Sequence, residues 1–189
     1  MFLKEVFKSK KGNMSTQKII LRAPELTDLD QIQLWENDME LWHLSNTLLP
    51  FSRFTIEQYI LSEQEDIFSK KQARFIISLQ DENNSVSIGA IDLFDFDPKN
   101  RRAGVGILIE KEHRKKGYAN IALSQLIEYS FKVLNLHQLY CSILHSNKES
   151  LELFQRQKFS IIGVKKDWIL LNNEWQDEYL LQLINQKYI

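Results

Sequence analysis

The chain alternates short apolar runs with stretches of helical period, and most of its elements can be placed from that pattern alone. Residues 105–109 form a β-branched, apolar run that suits a buried strand. Beyond Ala119, Leu123, Leu126, Ile127, Ser130 and Leu134 recur at three- and four-residue intervals, which predicts an amphipathic helix. Residues 18–22 read as a first strand that Pro24 stops. Thr27 with Asp30 three residues on opens a helix carried by Leu29, Ile32, Leu34 and Trp35 to about residue 37. Thr55-x-x-Gln58 opens a second helix, running to about residue 69. Residues 75–79 and 86–96 flank the polar cluster 81–85 and predict an antiparallel hairpin. The turn 97–100 then leads into 101–109, completing a three-strand meander. A strand at 137–144, a helix at 146–157 opened by Ser146-x-x-Glu149, and a hairpin of 159–171 with 175–184 finish the chain. The sum is an α/β (α+β) domain with a mixed, mostly antiparallel sheet and flanking helices.

Composition narrows the classes. The 189 residues are 43% apolar and 11% aromatic, which is ample for one packed core. A net charge of -1 provides no field for nucleic acid or an anionic membrane, so neither is expected as a partner. Cys141 is the sole cysteine, which excludes an intramolecular disulfide and a thiolate metal cluster. No apolar run approaches the roughly 20 residues a membrane span needs. The basic segment 1–13 has too short an apolar stretch for a signal peptide, so a cytoplasmic protein is expected. Residues 1–15 are expected to be a weakly ordered extension ahead of a domain at 16–189, with Met14 an equally good start.

One stretch carries chemistry. Four cations at 111–116 surround Glu112 and His113, Gly117 ends the run, and the long helix follows at once. The first backbone N–H groups of a helix have no internal partner and sit in positive potential, so strand, basic glycine turn and helix start together make an anion site. Neither common nucleotide-loop pattern is present, neither G-x-x-x-x-G-K-S/T nor a helix-opening G-x-G-x-x-G.

Arg114-Lys115-Lys116-Gly117-Tyr118-Ala119 resembles the Arg/Gln-x-x-Gly-x-Gly/Ala acyl-CoA pyrophosphate loop of the GNAT superfamily of N-acetyltransferases. Asn147, Ser150, Phe154 and Phe159 resemble a second segment of that family, at the right separation and in the right order. Arg101-Arg102-Ala103 and Val133-Leu134-Asn135-Leu136 are similar to the spermidine and ribosomal-protein-alanine branches. The resemblance implies a sheet splayed at the cofactor site between two adjacent parallel strands, 105–109 and 139–143, with a bulge in the first. It implies acetyl-CoA as co-substrate and no metal. The cofactor would be held by Ile107, Leu108, Ile109, Arg114, Lys115, Lys116, Gly117, Tyr118, Ala119, Asn120, Asn147, Ser150 and Phe154. With Ser146 as helix cap, Asn147 would be left to face the ligand.

Catalysis is less defined. An amine with a pKa near 10.4 is about 10⁻³–10⁻⁴ neutral at pH 7, so a proton acceptor is required. The strand where many family members carry a Glu has Gly104 and Gly106 instead. Asp92, interrupting an apolar run, reads either as a carboxylate facing the thioester or as a partner of Arg101 or Arg102. His145 is another candidate base. Phe154 stands where many members have a proton-donating Tyr, so Ser150 is a candidate to stabilise the leaving thiolate, or a plain helix-surface serine. Trp42, His43, Phe51, Phe94 and Trp168 are candidates for the acceptor pocket. Asp92, Asp95, Asp97 and Glu110 would suit a cationic acceptor, a polyamine-like primary amine. The alternatives are a protein N-terminus, or a non-catalytic acyl-CoA-binding regulatory module. A homo-oligomer is compatible with all three.

Overall fold

A computed structural model describes residues 17–42, 47–62, 66–82 and 84–188. The expected extension at 1–15, the choice of Met14 as start, and His43 lie outside the described residues. Seven strands form one sheet in the order β1-β2-β3-β4-β5-β7-β6, with β1 (Lys18–Arg22), β2 (Ala73–Gln80), β3 (Ser85–Asp97), β4 (Arg102–Ile109), β5 (Gln138–Leu144), β6 (Ser160–Leu171) and β7 (Glu174–Ile184). Only β4 and β5 run parallel. The mixed, mostly antiparallel sheet expected from the strand pattern is therefore present.

Alternation along the strands sends side chains to two faces, each covered by helices. On one face Leu93, Val105, Leu139, Cys141 and Leu181 join Leu123 and Leu126 of the long helix α4 (Tyr118–Lys132) and Phe154 of α5 (Lys148–Arg156). On the other, Ile76 and Ala90 pack under Ile32 and Trp35 of α1 (Leu29–Glu36) and Ile56 and Ile60 of α2 (Arg53–Ser62). Most of these residues are under 5% exposed, so the sheet is buried between two apolar cores.

Three local expectations are corrected. The helix expected from Thr55 to residue 69 ends at Ser62, and Ile67–Lys70 is a separate turn of helix, α3, capped by the Asp66 carboxylate and stopped by Lys71 at a φ of 55°. The first helix is not entered through Thr27 and Asp30. A 3-10 turn at Leu26–Asp28 precedes it, and the buried Asp28 carboxylate accepts from Glu25 N and from Arg22. The bulge expected in β4 falls instead on β3. Three steps from Phe94 to Asp97 oppose two from Gly104 to Arg102, and Asp95 absorbs the extra residue at a φ of 48°.

Candidate active site

The parallel ladder between β4 and β5 ends early. Its rungs are Arg102–Gln138, Ala103–Leu139 and Gly104–Tyr140, and beyond them 105–109 and 141–144 part. Meanwhile β4 stays paired with β3 as far as Gly89–Ile109. That pairing is close: a Cβ on Gly89 would lie 2.1 Å from the Leu108 carbonyl oxygen, so only glycine lets the strands meet there. With one edge of β4 consumed by β3, its other edge faces the gap without a strand partner. Backbone groups in that state require another partner.

The gap is a cleft of about 110 Å³, bordered by Val105, Gly106 and Ile107 on one strand and Cys141 to Leu144 on the other. The start of α5 closes it with Asn147, Ser150 and Phe154, and Glu178 of β7 completes it. Phe154 is buried and meets Phe159 edge-on at 5.0 Å, so it props the cleft from the core side. Burial pushes the Cys141 thiol pKa well up, which keeps it neutral and unreactive.

Asn147 is the N-cap of α5: its Oδ1 accepts from Ser150 N at 3.1 Å. Ser146 does not take that role, contrary to expectation, because it lies one residue too early to reach the first free amide. Asn147 nevertheless lines the cleft, with its Nδ2 donating to no described residue. Ser150 is half-buried beside it.

At the cleft mouth, a 3-10 turn at Lys111–His113 leads to Arg114, whose Nε donates to the Ile109 carbonyl at 2.9 Å. Gly117, at a φ of 82°, is the N-cap of α4, and no side chain caps the helix. A Cβ at Gly117 would find nothing within 4 Å, so open space lies over the first amides of α4. Lys115, Lys116, Gly117 and Asn120 are exposed there, and Tyr118 and Ala119 are partly so. Lys115 reaches Glu149 at 3.2 Å, both largely in solvent, an ion pair of little energetic weight. Gln157 donates to the Asn120 side chain and carbonyl, tying the two helices that flank the cleft. Of the other expected contacts, Ile107 borders the cleft, whereas Leu108 packs on the α1–α2 core and Ile109 is buried.

The opposite face of the sheet holds a second pocket, about 250 Å³, lined by Phe51, Ile56, Tyr59, Phe94 and the charged trio Glu36, Arg74 and Asp92. Asp92 pairs with neither Arg101 nor Arg102. Both its oxygens accept from Arg74, Nε to Oδ1 at 2.8 Å and Nη2 to Oδ2 at 2.9 Å, and Arg74 Nη1 donates to Glu36. Burial favours the neutral guanidine, but Asp92, Tyr59 and Glu36 outweigh it and hold the Arg74 pKa well above its ordinary value. By formal charge the trio sets one guanidinium against two carboxylates. Asp95 instead accepts from Tyr140 Oη, whose pKa burial and that carboxylate push up to about 12. Asp97 pairs with Arg102, and Glu110 accepts from Gln31 and Trp35. Of the four expected acids, only Asp92 reaches this pocket. Phe51 and Phe94 line it, while Trp42 bonds the Glu36 carbonyl and Trp168 is 56% exposed beside Lys165. His145 is exposed and leans on Tyr179.

The two hollows meet across the glycines of β4. Asp92 stands opposite Gly106 and Phe94 opposite Gly104. A Cβ on Gly104 would lie 2.3 Å from the Phe94 ring, and Gly106 presents no side chain between Asp92 and the cleft. The Phe94 ring covers Gly104, whereas Gly106 borders the cleft and leaves Asp92 with no side chain opposite it.

A sheet split between two parallel strands, with an uncapped helix start at the mouth, defines an acyltransferase of the GNAT class. The chain belongs to that family: the acetyltransferase (GNAT) domain model matches residues 18–160. It is 27% identical over 173 residues to the uncharacterised N-acetyltransferase p20 of Bacillus licheniformis, covering 92% of this chain and 96% of that one. It is 26% identical over 180 residues to a spermidine N(1)-acetyltransferase of Vibrio cholerae, covering 91% and 96%. The crystal structure of spermidine N-acetyltransferase from Vibrio cholerae in complex with CoA and spermine superposes with a TM-score of 0.79 at 25% identity, covering 90% of this chain and 97% of the other. A dodecameric spermidine N-acetyltransferase from the same organism has a TM-score of 0.70 at 24% identity, with coverage of 90% and 96%.

Sequence reasoning missed Arg74, Glu36, Tyr59, Lys165 and Glu178. A register count could have found two of them, since Arg74 is the cross-strand partner of Asp92 and Glu178 that of Leu144 at the cleft end of β5.

Proposed function

We propose that this N-acetyltransferase moves an acetyl group from acetyl-CoA to a primary amine of the polyamine class, by direct transfer with both substrates bound. The observation that carries the reading is the gap between β4 and β5 with the α4 N-terminus at its mouth. An acyl-CoA fits the groups on offer. Its diphosphate takes the first amides of α4 with Arg114, Lys115 and Lys116 nearby, and its pantetheine amides take the free edge of β4 at Ile107, the Ile109 carbonyl being held by Arg114. Gly117, Tyr118, Ala119 and Asn120 supply the helix start, and Asn147 Nδ2 and Phe154 border the acyl end. The cofactor brings an activated acetyl group. The chain's part is to orient it, to draw in the amine and to remove a proton.

The acceptor enters from the pocket under α1 and α2. Its net negative trio and the rings of Phe51, Tyr59 and Phe94 suit an ammonium on an aliphatic stem. Asp92, facing Gly106, holds that ammonium on the acceptor side of β4. Ser150, in the cleft and at the N-terminal turn of α5, stabilises the departing thiolate in place of the hydroxyl that Phe154 lacks. The likeness to spermidine N-acetyltransferases supports the polyamine class. Self-association belongs to the same reading, supported by Trp168, Leu170 and Trp175, which are exposed on the β6–β7 hairpin.

Thiol release from acetyl-CoA with spermidine, an alkylamine and a peptide N-terminus tests the reading. Turnover fastest with spermidine is expected. Turnover on the peptide alone would move the acceptor to a protein N-terminus. Tight CoA binding without turnover on any of them would make the chain a regulatory module.

A further inference from the structure

We propose that Glu178 is the proton acceptor of this reaction, with Lys165 as its positioning residue. The inference rests on the acetyltransferase reading above. Glu178 is on β7, opposite Leu144, where β5 and β4 have already parted. Register places Tyr140, Ser142, Leu144, Glu178 and Leu180 on the face from which the amine arrives, while Cys141, Tyr179 and Leu181 belong to the core on the cofactor side. The Glu178 side chain is 13% exposed and borders the same cleft as Gly106, Asn147 and Ser150. It is the one carboxylate among the residues lining that cleft.

Its hydrogen bonds show what it has left to offer. Lys165 Nζ donates to Glu178 Oε2 at 2.6 Å and to Ser142 Oγ at 3.0 Å, and it stacks over Trp168 at 5.0 Å. This fixes one oxygen and anchors the cation from the β6 side. Oε1 accepts no hydrogen bond from any described residue. Asp92 differs on this point, because Arg74 occupies both of its oxygens. A carboxylate oxygen that accepts from no described residue and opens onto the cleft, on a side chain only 13% exposed, is suited to receive a proton from an incoming ammonium. The charged groups around it are few. Lys165 faces it from β6. The Lys166–Asp177 pair belongs to the other face of the hairpin, and His145 leans on Tyr179 there. β5 contributes Ser142, which does not titrate.

The proton accounting closes. Glu178 Oε1 takes one proton from the alkylammonium. The freed nitrogen pair bonds to the thioester carbon as the carbon–sulfur bond breaks, and the sulfur leaves with that bond's electrons. The nitrogen's second surplus proton passes through water to the sulfur, giving a neutral amide and a neutral thiol. Glu178 then returns its proton to solvent.

The test compares wild type, Glu178→Gln and Lys165→Met with spermidine and acetyl-CoA. Glu178→Gln keeps the shape of the side chain but removes the base. Its kcat should fall at least about 100-fold at neutral pH, recovering as pH rises toward the amine's own pKa. CoA affinity should stay within about twofold, since no cofactor-binding group is altered. Lys165→Met leaves the carboxylate without its cation, so the acidic limb of its rate profile should shift to higher pH. A readout independent of turnover is the ¹³C resonance of the Glu178 carboxyl, identified by its absence in Glu178→Gln. It should move when spermidine is added to the CoA-bound protein. A Glu178→Gln enzyme with unchanged kcat, or two variants that lose activity equally with no change in pH profile, would overturn the proposal and leave a structural ion pair. If the wild type acetylates no amine, the reading of the function fails instead.

Discussion

Gly104 lies beneath the Phe94 ring, at a separation only glycine permits: a Cβ would be 2.3 Å from the nearest ring carbon. The same residue makes the last rung of the parallel ladder, opposite Tyr140, whose ring meets Phe94 at 6.1 Å. One glycine thereby links the point where the strands part to the aromatic wall of the pocket under α1 and α2, the proposed acceptor site.

Gly104→Ala should push Phe94 into that pocket. The ring is a side chain and can yield, so the cost in stability should be modest, about 1–3 kcal/mol as for overpacking. The KM for the amine should rise about tenfold with CoA affinity unchanged. Thermal unfolding and steady-state kinetics on both substrates check it, and an unaltered amine KM would detach Phe94 from the acceptor.

Gly117→Asp acts at the other end of the cleft. Gly117 has a φ of 82°, which disfavours any side chain, and the open space over it is where the proposed function puts the diphosphate. A carboxylate there adds bulk and like charge, and CoA affinity should drop at least about 100-fold, each factor of ten being about 1.4 kcal/mol. Calorimetric titration with CoA measures this. Affinity within a fewfold of wild type would displace the loop from the phosphate.

Asp92→Asn separates binding from proton transfer. It removes the net charge of the trio and weakens the grip on a guanidinium only 18% exposed, so stability should fall by about 1–3 kcal/mol. The amine KM should rise while the acidic limb of the rate profile stays in place. A displaced limb would return the proton-acceptor role to Asp92.

Asp28 supplies a pH signature of folding. Burial raises its pKa, but hydrogen bonds from Arg22, Glu25 N and Ser87 overcome that and leave it lowered. A carboxylate with a depressed folded pKa stabilises above its unfolded value, about 3.9, and loses that contribution as pH falls through the folded value. Asp28→Asn should therefore be less stable than wild type at neutral pH, with the gap closing below about pH 4. Urea midpoints across that range check the sign, and a gap that widened in acid would contradict it.

What the sequence disclosed follows from how local each signal is. The β4 run, the basic turn, Gly117 and the α4 period lie within some thirty residues of one another, and no distant contact is needed to read them. Asn147 and Ser146 are adjacent cap formers, and the choice between them depends on where the chain leaves β5, which composition does not encode. The partner of Asp92 depends on the β2–β3 register, itself shifted at Ile77 and Ser78. Glu178 comes into the cleft because β7 inserts between β5 and β6, a choice of strand order made over forty residues of chain. Lys158, standing where the family motif has Gly, adopts the φ of 67° that a glycine would. The backbone conformation thus persists where the residue does not.

The account depends most on the parted strands. A crystal structure of the protein grown with CoA tests it directly. The account predicts the diphosphate against the amides of 117–120 and the sulfur between Gly106 and Ser150, within reach of Glu178. Strands paired through to Ile109 and Leu144, with CoA bound elsewhere, would contradict it.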